Sequence, residues 1–429
     1  MTLSLDKIEE MIGTHNPKWM WKSNNFVPGE TPVYYSGPFY DERELTAAVN
    51  AFLNGKWLVS GEHVHKFEVA FSKKFNALFS VMVNSGSSAN LVMIAALKKY
   101  FKWNDGDEII VSPAGFPTTI APIVQNGLKP VFADIEWDTL NFDIKEVGMK
   151  VTEKTRAIFV SPVLGNPPDM SILDQICDSL GILLIGDNCD SLGSKWDGKL
   201  LGDYYYSWSS SFYPAHHITT GEGGMVSSND EDFIKLCRSI AWWGRDCHCV
   251  GASNLLPCGT CGTRFGRWLD TYDGIVDHRY LFTSMGYNLK PLDLQGAMGL
   301  VQLKKVDQIT LLRNSNKHVI SKFVEKFIDV ASVIYNLPVA DPSWFGVPIV
   351  VTPPHKNKLQ QYFEYNKIQT RNYFAGNILM HPGYSHLDDY RKYPNANRVL
   401  DEVFFLGCSP HYSRDMLAYI GEVCAQWTP

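Results

Sequence analysis

The hydrophobic pattern of this chain alternates between two periods. Apolar runs of strand length are separated by segments in which apolar residues recur at helical spacing, such as 89–97 and 172–180. The strand-like runs lie near residues 78–83, 108–112, 130–135, 157–163 and 182–187. Strands and helices that take turns predict the α/β class, in which helices cover both faces of a mostly parallel sheet.

The same pattern predicts how the chain divides. Asp41 to Glu44 has the sequence of a capping box ahead of a helical run, and the residues before it form an N-terminal arm. The alternation stops where cysteine, glycine, tryptophan and arginine are crowded together; long helices and then the strands and loops of a smaller domain follow. We predict an arm over 1–30, a large domain over 31–305 that contains a cysteine-rich loop over 240–285, and a small domain over 306–429.

Composition excludes several classes of protein. With 429 residues, 45% of them hydrophobic and 20% charged, the chain can bury a large core. Its net charge of -6 comes without a basic cluster, so we expect no nucleic-acid partner and no membrane-surface partner. No run approaches the ~18 apolar residues that span a bilayer, and the N-terminus lacks the features of a signal peptide. We therefore expect a cytoplasmic protein whose cysteines are thiols or metal ligands.

The most informative segment runs from Ser211 to Gly224 and reads Ser-Phe-Tyr-Pro-Ala-His-His-Ile-Thr-Thr-Gly-Glu-Gly-Gly. It is similar to the segment Ser-Phe-x-x-x-Lys-x-x-x-x-Gly-Glu-Gly-Gly of pyridoxal-phosphate sugar aminotransferases, with His216 in the place of the lysine. A lysine holds the cofactor covalently and moves protons at its C4′ carbon, whereas imidazole can only move protons. We therefore predict chemistry on the amine form, pyridoxamine phosphate, with His216 as catalytic base and acid. Tyr213 either assists proton transfer or packs.

Three strand ends carry residues suited to the same cofactor. Gly86, Ser87 and Ser88 open a helix after an apolar run, so they form either a phosphate cradle or an ordinary strand-to-helix turn. Phe116 either stacks on a pyridine ring or belongs to the core. Asp187 closes a strand, where its carboxylate either pairs with a protonated pyridine nitrogen or caps a helix.

The order and spacing of these motifs resemble those of the DegT/DnrJ/EryC1/StrS sugar aminotransferases over about residues 30–425. The histidine form of the motif is similar to that of the sugar 3-dehydrases of this family. The resemblance implies an aspartate-aminotransferase-like fold (fold type I), with a mostly parallel seven-stranded sheet in the large domain and a smaller C-terminal α/β domain. It also implies a homodimer in which Asn288 reaches the neighbouring subunit's phosphate. Ser211 would be a cofactor ligand, and Asp190 would replace the aminotransferases' glutamine near the ring hydroxyl.

The cysteines permit two interpretations. Cys-x-Cys followed by Cys-x-x-Cys in the loop supplies four thiolates, as structural zinc sites do. The iron-sulfur 3-dehydrases that the chain resembles hold a [2Fe-2S] cluster by the pattern Cys-x57-Cys-x-Cys-x7-Cys, and 57 residues separate Cys189 from Cys247 here. The last gap departs from that pattern, with eight residues before Cys258 or eleven before Cys261. We prefer a cluster held by Cys189, Cys247, Cys249 and Cys261, because the segment that begins at Cys261 matches the family better.

The resemblance implies a specific reaction. A nucleotide-linked 4-keto-6-deoxy hexose, by preference CDP-linked, would lose its C3 hydroxyl on pyridoxamine phosphate. A flavin and iron-sulfur NAD(P)H reductase would send two electrons through the cluster, giving a 3,6-dideoxy-4-keto sugar for bacterial surface polysaccharide. His216 would serve as base and then as acid, because histidine ordinarily titrates near neutrality. Two alternatives stay open: a cluster-free dehydrase or aminotransferase, re-aminated by glutamate and with zinc in its loop, and an inert relative that binds sugar nucleotides.

Overall fold

The structure is a computed structural model that describes residues 4–15, 19, 25–247 and 261–429. The helices are α1 (Leu5–His15), α2 (Glu42–Asn54), α3 (Glu62–Lys74), α4 (Gly86–Tyr100), α5 (Pro117–Gln125), α6 (Ile144–Lys150), α7 (Met170–Leu180), α8 (Glu231–Ala241), α9 (Asp293–Phe327), α10 (Lys356–Tyr365), α11 (Pro394–Glu402) and α12 (Arg414–Gln426). The strands are β1 (Phe79–Val83), β2 (Glu108–Val111), β3 (Lys129–Phe132), β4 (Thr155–Val160), β5 (Leu183–Asp187), β6 (Lys195–Trp196), β7 (Lys199–Leu200), β8 (Ser207–Ser211), β9 (Gly224–Ser228), β10 (Phe265–Gly266), β11 (Val276–Asp277), β12 (Ala331–Val333), β13 (Ala340–Asp341), β14 (Gly346–Val351), β15 (Thr370–Asn372) and β16 (Val403–Gly407).

A seven-stranded sheet forms the centre of the molecule. Its order is β1-β9-β8-β5-β4-β2-β3. The four pairs from β8 across to β3 are parallel, and β9 is antiparallel to both of its neighbours. One face of the sheet packs against α4, α5 and α8, and the other packs against α3, α7 and α9. The predicted α/β fold with a mostly parallel sheet is therefore confirmed.

Burial on both faces explains which strands the hydrophobic pattern predicts. A strand covered by helices on each side is mostly apolar, and β2 (Glu-Ile-Ile-Val) and β5 (Leu-Leu-Ile-Gly-Asp) follow this rule except at one end. β8 is also fully buried, yet its sequence is Ser-Trp-Ser-Ser-Ser. Three of its four hydroxyls have partners: Ser207 Oγ donates to Ser227 O at 3.0 Å, Ser209 Oγ donates to Asp187 Oδ1 at 3.4 Å, and Ser211 Oγ accepts from Tyr213 N at 3.3 Å. Ser210 Oγ is buried without a partner among the described residues. A hydrophobic pattern cannot predict a strand of this kind.

α9 joins the central sheet to a second, smaller sheet. Val306 and Ile309 belong to the core beneath the large sheet, whereas Ile320 and Val324 belong to the core of the small one. The small sheet has the antiparallel order β12-β14-β16-β15. The predicted boundary near residue 305 lies inside this helix, and the division into 31–305 and 306–429 stays a prediction. Neither α9 nor any other helix in the described ranges is long and apolar enough to cross a membrane.

Candidate active site

A cavity of about 890 Å³ lies at the C-terminal ends of the parallel strands. Loops that follow β1, β2, β5 and β8 form one wall, and residues around the small sheet form the other. Open α/β sheets bind their ligands at this edge. The predicted residues that line the cavity are Gly86, Ser87, Phe116, Asp187, Cys189, Asp190, Ser211, Tyr213 and His216.

The other predicted residues lie elsewhere. Ser88 is outside the cavity lining, and its hydroxyl accepts a hydrogen bond from the hydroxyl of Ser85 at 2.9 Å. Asn288 pairs with Trp242 in an isolated bridge and does not line the cavity. Cys247 and Cys261 are also absent from the lining, while Cys249 and Cys258 lie outside the described residues.

The turn between β1 and α4 is suited to bind an anion. Ser85 is the N-cap of α4, and its side chain accepts a hydrogen bond from Ser88 N at 3.1 Å. Ser85, Gly86 and Ser87 all line the cavity, so the positive end of the helix dipole lies beside it. A Cβ atom on Gly86 would lie 2.5 Å from Ser211 Cβ, so only glycine allows this approach. Backbone N–H groups and serine hydroxyls thus converge at one end of the cavity.

Asp187 is held in place by four hydrogen bonds. Its Oδ2 accepts from Asn90 Nδ2 at 2.8 Å and from Thr119 Oγ1 at 2.7 Å. Its Oδ1 accepts from Cys189 N at 3.3 Å and from Ser209 Oγ at 3.4 Å. β5 is followed by the loop to β6 and not by an α-helix, so the helix-cap interpretation of Asp187 is wrong. A carboxylate fixed in this way is able to pair with a protonated ring nitrogen.

His216 and Asp190 face each other inside the protein. His216 Nδ1 lies 3.4 Å from Asp190 Oδ1, although the two atoms are not aligned for a hydrogen bond. Burial, reinforced by the charge of Arg313, lowers the pKa of His216 to about 3. Burial, reinforced by the charge of Asp187, raises the pKa of Asp190 to about 8. At neutral pH the imidazole is therefore neutral and the carboxyl is protonated. The expectation that His216 titrates near neutrality is wrong here, because the side chain is removed from water.

Two aromatic rings flank the His216 imidazole. The Phe345 ring centroid lies 5.2 Å from that of His216, and the Tyr213 ring meets it edge-on at 6.3 Å. Tyr213 is 47% exposed and lines the cavity. The neighbouring His217 does not line the cavity, and its Nε2 lies 2.8 Å from Ser343 O. Of the two adjacent histidines, His216 alone faces the cavity.

Phe116 occupies the mouth of the cavity. It is 50% exposed, which excludes the core interpretation. Its ring meets that of Phe374 edge-on at 5.7 Å, and Phe374 belongs to the segment that follows β15. An exposed ring in this place is available to stack on a planar ligand.

Cys189 lines the cavity next to the turn between β1 and α4. A Cβ atom on Gly86 would lie 3.0 Å from its Sγ. Burial and the nearby charge of Asp187 raise the pKa of the Cys189 thiol well above its usual value. Within the described ranges, no three side chains of the kinds that bind metals come together.

Comparison with known proteins places this site in a family. The sequence profile of the DegT/DnrJ/EryC1/StrS aminotransferase family matches residues 40–424. The chain belongs to this family. It is 36% identical to the lipopolysaccharide biosynthesis protein RfbH of Salmonella typhimurium, over 92% of this chain and 91% of that protein. It is 37% identical to the dTDP-4-dehydro-2,6-dideoxy-D-glucose 3-dehydratase of Saccharopolyspora spinosa, over 95% of this chain and 88% of that enzyme.

A solved structure within the family has the same fold. It is a GDP-4-keto-6-deoxymannose-3-dehydratase with a trapped PLP-glutamate geminal diamine, and it superimposes with a TM-score of 0.79 at 28% identity. The match covers 91% of this chain and 99% of that one. The predicted family and the predicted fold type I architecture are therefore confirmed.

The sequence analysis did not predict the residues that hold the site residues in place. Asn90 and Thr119 hold Asp187, and Arg313 and Phe345 surround His216. Asn90 carried a usable signal, since it lies one helical turn after Gly86 on α4. Thr119, Arg313 and Phe345 carried none, because only the tertiary fold brings them to the site.

Proposed function

We propose that this chain uses pyridoxamine phosphate to remove the C3 hydroxyl of a nucleotide-linked 4-keto-6-deoxy hexose, which gives a 3,6-dideoxy-4-keto sugar. His216 carries the proposal: an imidazole occupies the lysine position and faces a cavity that has the other features of a cofactor site. Imidazole cannot hold the cofactor covalently, so the cofactor amine stays available for the sugar. Relatives named as sugar 3-dehydratases support this class of reaction.

The cavity residues fit pyridoxamine phosphate. The N-terminus of α4, with Gly86, Ser87 and Ser211, would hold the phosphate. The buried carboxylate of Asp187 would pair with the ring nitrogen, and Phe116 would lie against the ring. These groups recognise the three parts of the cofactor separately, and none of them needs a lysine.

The catalytic work of the protein falls to His216. When bound, the cofactor supplies an amine for the keto group of the sugar and an electron-withdrawing ring. His216, which is neutral at working pH, accepts the proton from C4′. The protonated imidazole then donates to the departing C3 hydroxyl. A carboxyl oxygen of the protonated Asp190 lies 3.4 Å from Nδ1, and its dipole stabilises the charge that His216 carries in between.

Hydrogen exchange at C4′ tests the role of His216. With pyridoxamine phosphate and the sugar nucleotide in deuterium oxide, the wild-type protein should exchange the C4′ hydrogen. His216→Asn should slow the exchange by about 100-fold or more, which is the usual contribution of a positioned base. His217→Asn is the matched control and should exchange at nearly the wild-type rate. Exchange at the wild-type rate in His216→Asn would overturn the proposal.

The nucleotide is the finer part of the proposal. We keep CDP, on the resemblance stated above, whereas the two dehydratases named above act on dTDP-linked and GDP-linked sugars. Arg371 lines the cavity over the ring of Tyr35, 4.2 Å from its centroid, and is the candidate ligand for the diphosphate. Competition among CDP, dTDP and GDP for the protein loaded with pyridoxamine phosphate tests this choice, and tighter binding of dTDP or GDP would reject CDP.

We further propose that Cys189, Cys247, Cys249 and Cys261 hold a [2Fe-2S] cluster that receives electrons from a flavin and iron-sulfur NAD(P)H reductase. The cysteine spacing and the position of Cys189 at the cavity support this. The described cysteines alone do not form a metal site, and Cys249 lies beyond them.

Electron balance separates the cluster from its alternative. Replacing the C3 hydroxyl by hydrogen takes two electrons and two protons and releases water. If a reductase supplies the electrons, NAD(P)H is consumed and the protein holds about two irons per chain. In the cluster-free alternative the electrons come from the amine carbon of the cofactor, ammonia is released, and glutamate must restore the amine. Turnover that needs glutamate, together with a single zinc in anaerobically purified protein, would reject the cluster.

We also propose a homodimer. Large apolar side chains are exposed in two segments, residues 57–58 and residues 280–292, and the antiparallel bridge Val59–Leu292 connects the two. The exposed side chains are Trp57, Leu58, Tyr280, Phe282, Met285 and Leu292. Asn288 lies in the second segment, and the family resemblance implies that it reaches the neighbouring subunit. A monomer in analytical ultracentrifugation at micromolar concentration would reject the dimer.

A further inference from the structure

Helix α9 is hydrogen-bonded at several points along its length to the segment that carries His216 (residues 211–224, the catalytic segment). Gln295 donates a hydrogen bond to Glu222 O, and Gln302 Oε1 accepts one from Thr219 N at 3.2 Å. Farther along the helix, Arg313 Nη2 donates to Ala215 O at 2.8 Å and to His216 O at 3.3 Å. The backbone that presents His216 is therefore bound to one rigid helix at several points.

Arg313 is the unusual member of this set. Its side chain is fully buried, and it belongs to none of the ion pairs among the described residues. Besides the two carbonyls above, its partners are Phe345 O at 3.0 Å, Ser36 Oγ at 3.3 Å and the Cys408 thiol, while its Nε has no partner among the described residues. A buried guanidinium without an ion pair is unfavourable unless its donors are satisfied. Here neutral oxygens near the catalytic segment satisfy most of them.

Arg313 also positions Phe345, whose ring packs against the imidazole of His216. The carbonyl that accepts from its Nη1 belongs to Phe345, and the ring of Phe345 lies 5.2 Å from that of His216. Phe345 directly precedes β14 of the small sheet. One guanidinium thus holds both the backbone of residue 216 and the ring that packs against its side chain.

We propose that Arg313 is a positioning residue that sets the place of the residue-216 side chain in the cavity. It does so by binding the carbonyls of Ala215, His216 and Phe345 from α9. The inference rests on the proposed function, because it takes residue 216 to face the cofactor. Without the guanidinium, three carbonyls lose a buried donor and the segment is free to shift. Displacements of about 1 Å reduce rates by about 100-fold.

The position of residue 216 can be read without turnover. In a His216→Lys background, the new lysine should form a covalent linkage with pyridoxal phosphate, seen as yellow absorbance and trapped by borohydride. Adding Arg313→Met should slow formation of the linkage at least ten-fold, whereas Arg313→Lys, which can still donate to a carbonyl, should restore part of the rate. Lys317→Met is the matched control. Lys317 is a buried cation one turn along α9 that donates to Ile334 O at 3.2 Å, outside the catalytic segment.

Kinetics in the otherwise unchanged enzyme give a second readout. Arg313→Met should lower kcat about 30-fold or more, with KM for the sugar nucleotide and the Kd for pyridoxamine phosphate changed less than three-fold. Ser36→Ala should have the same effect at smaller size, because Ser36 Oγ donates to Ala215 O at 2.8 Å and accepts from Arg313. If Arg313→Met does not fold, the kcat of Ser36→Ala still tests whether these hydrogen bonds position residue 216.

The outcomes separate the two proposals. If His216→Lys alone forms no linkage, residue 216 does not face the cofactor and the proposed function fails. If it forms the linkage at the same rate with Arg313→Met as without it, Arg313 does not position residue 216. An equal loss of rate with Lys317→Met would reduce Arg313 to a general structural role and overturn the inference.

Discussion

Replacing Gly86 by alanine adds one methyl group at the proposed phosphate cradle. Its Cβ would lie 2.5 Å from Ser211 Cβ, 2.9 Å from Ser211 Oγ and 3.0 Å from Cys189 Sγ. The two heteroatoms can rotate away, but the Ser211 Cβ can move only with its backbone. Gly86→Ala should therefore push Ser211, at the end of β8, out of the cradle.

Two effects of opposite sign set the size of the change in stability. Gly86 is the first residue of α4, and alanine is more favourable than glycine in a helix by about 0.5 to 1 kcal/mol. Overpacking costs about 1 to 3 kcal/mol. The free energy of unfolding should consequently fall by about 0 to 2.5 kcal/mol. A displaced Ser211 loses a hydrogen bond to the phosphate, worth about 1.5 to 3 kcal/mol, so the Kd for pyridoxamine phosphate should rise about 10- to 100-fold.

Titration with pyridoxamine phosphate, followed by cofactor absorbance, measures the Kd, and urea unfolding of the cofactor-free protein measures stability. Gly148→Ala is the matched control, because Gly148 lies within α6 and no atom lies within 4 Å of its added Cβ. It should gain about 0.5 to 1 kcal/mol and leave the Kd unchanged. A wild-type Kd in Gly86→Ala would refute the placement of the phosphate at this turn.

Four further predictions follow from the site and the core. His216→Lys should acquire the yellow absorbance of a lysine linkage to pyridoxal phosphate and lose most dehydration; an unchanged spectrum with full activity would contradict the assignment. Asp187→Asn removes the charge beside the ring nitrogen and should slow C4′ exchange at least ten-fold, so a wild-type exchange rate would count against that role. Cys189→Ala should lose iron and net deoxygenation while still binding pyridoxamine phosphate and exchanging C4′, and full iron with full turnover would exclude Cys189 as a ligand. Burial lowers the pKa of Lys317 from 10.5 to about 8, which destabilises the folded protein by about 3 kcal/mol below pH 8, and this cost disappears as the pH rises to 10.5. In urea unfolding, Lys317→Met should be more stable than the wild type below pH 8, and the difference should shrink between pH 8 and 10.5. A difference that stays constant with pH would contradict the shift.

The hydrophobic pattern predicted the elements whose residues obey it. The apolar run near 182–187 is β5 at Leu183–Asp187, and the run near 108–112 is β2 at Glu108–Val111. The capping box is also present, since Asp41 accepts from Arg43 N and Glu44 Oε2 accepts from Asp41 N, both at 2.9 Å. Local chemistry decides these features, so a local sequence pattern reveals them.

The same method failed for β8, where buried serines replace apolar residues. Two of those serines belong to the active site: Ser209 Oγ donates to Asp187 and Ser211 lines the cavity. Function therefore requires polar side chains in a strand whose burial favours apolar ones, and a hydrophobic pattern detects only strands that are apolar. The match to a family motif predicted the site. The residues of α9 that hold the site in place could not be predicted from any local sequence pattern, because only the tertiary fold brings them there.

The exchange of lysine for histidine makes chemical sense only together with a second change. Asp190 stands where the aminotransferases have a neutral glutamine, and its carboxyl lies 3.4 Å from His216 Nδ1. At neutral pH the imidazole of His216 is neutral and the carboxyl of Asp190 is protonated. Once His216 has accepted a proton, the nearby carboxyl oxygen of Asp190 can stabilise the imidazolium through its dipole. Asp190 therefore supports the proton-transferring role of His216, so the two differences from the aminotransferases act in the same direction.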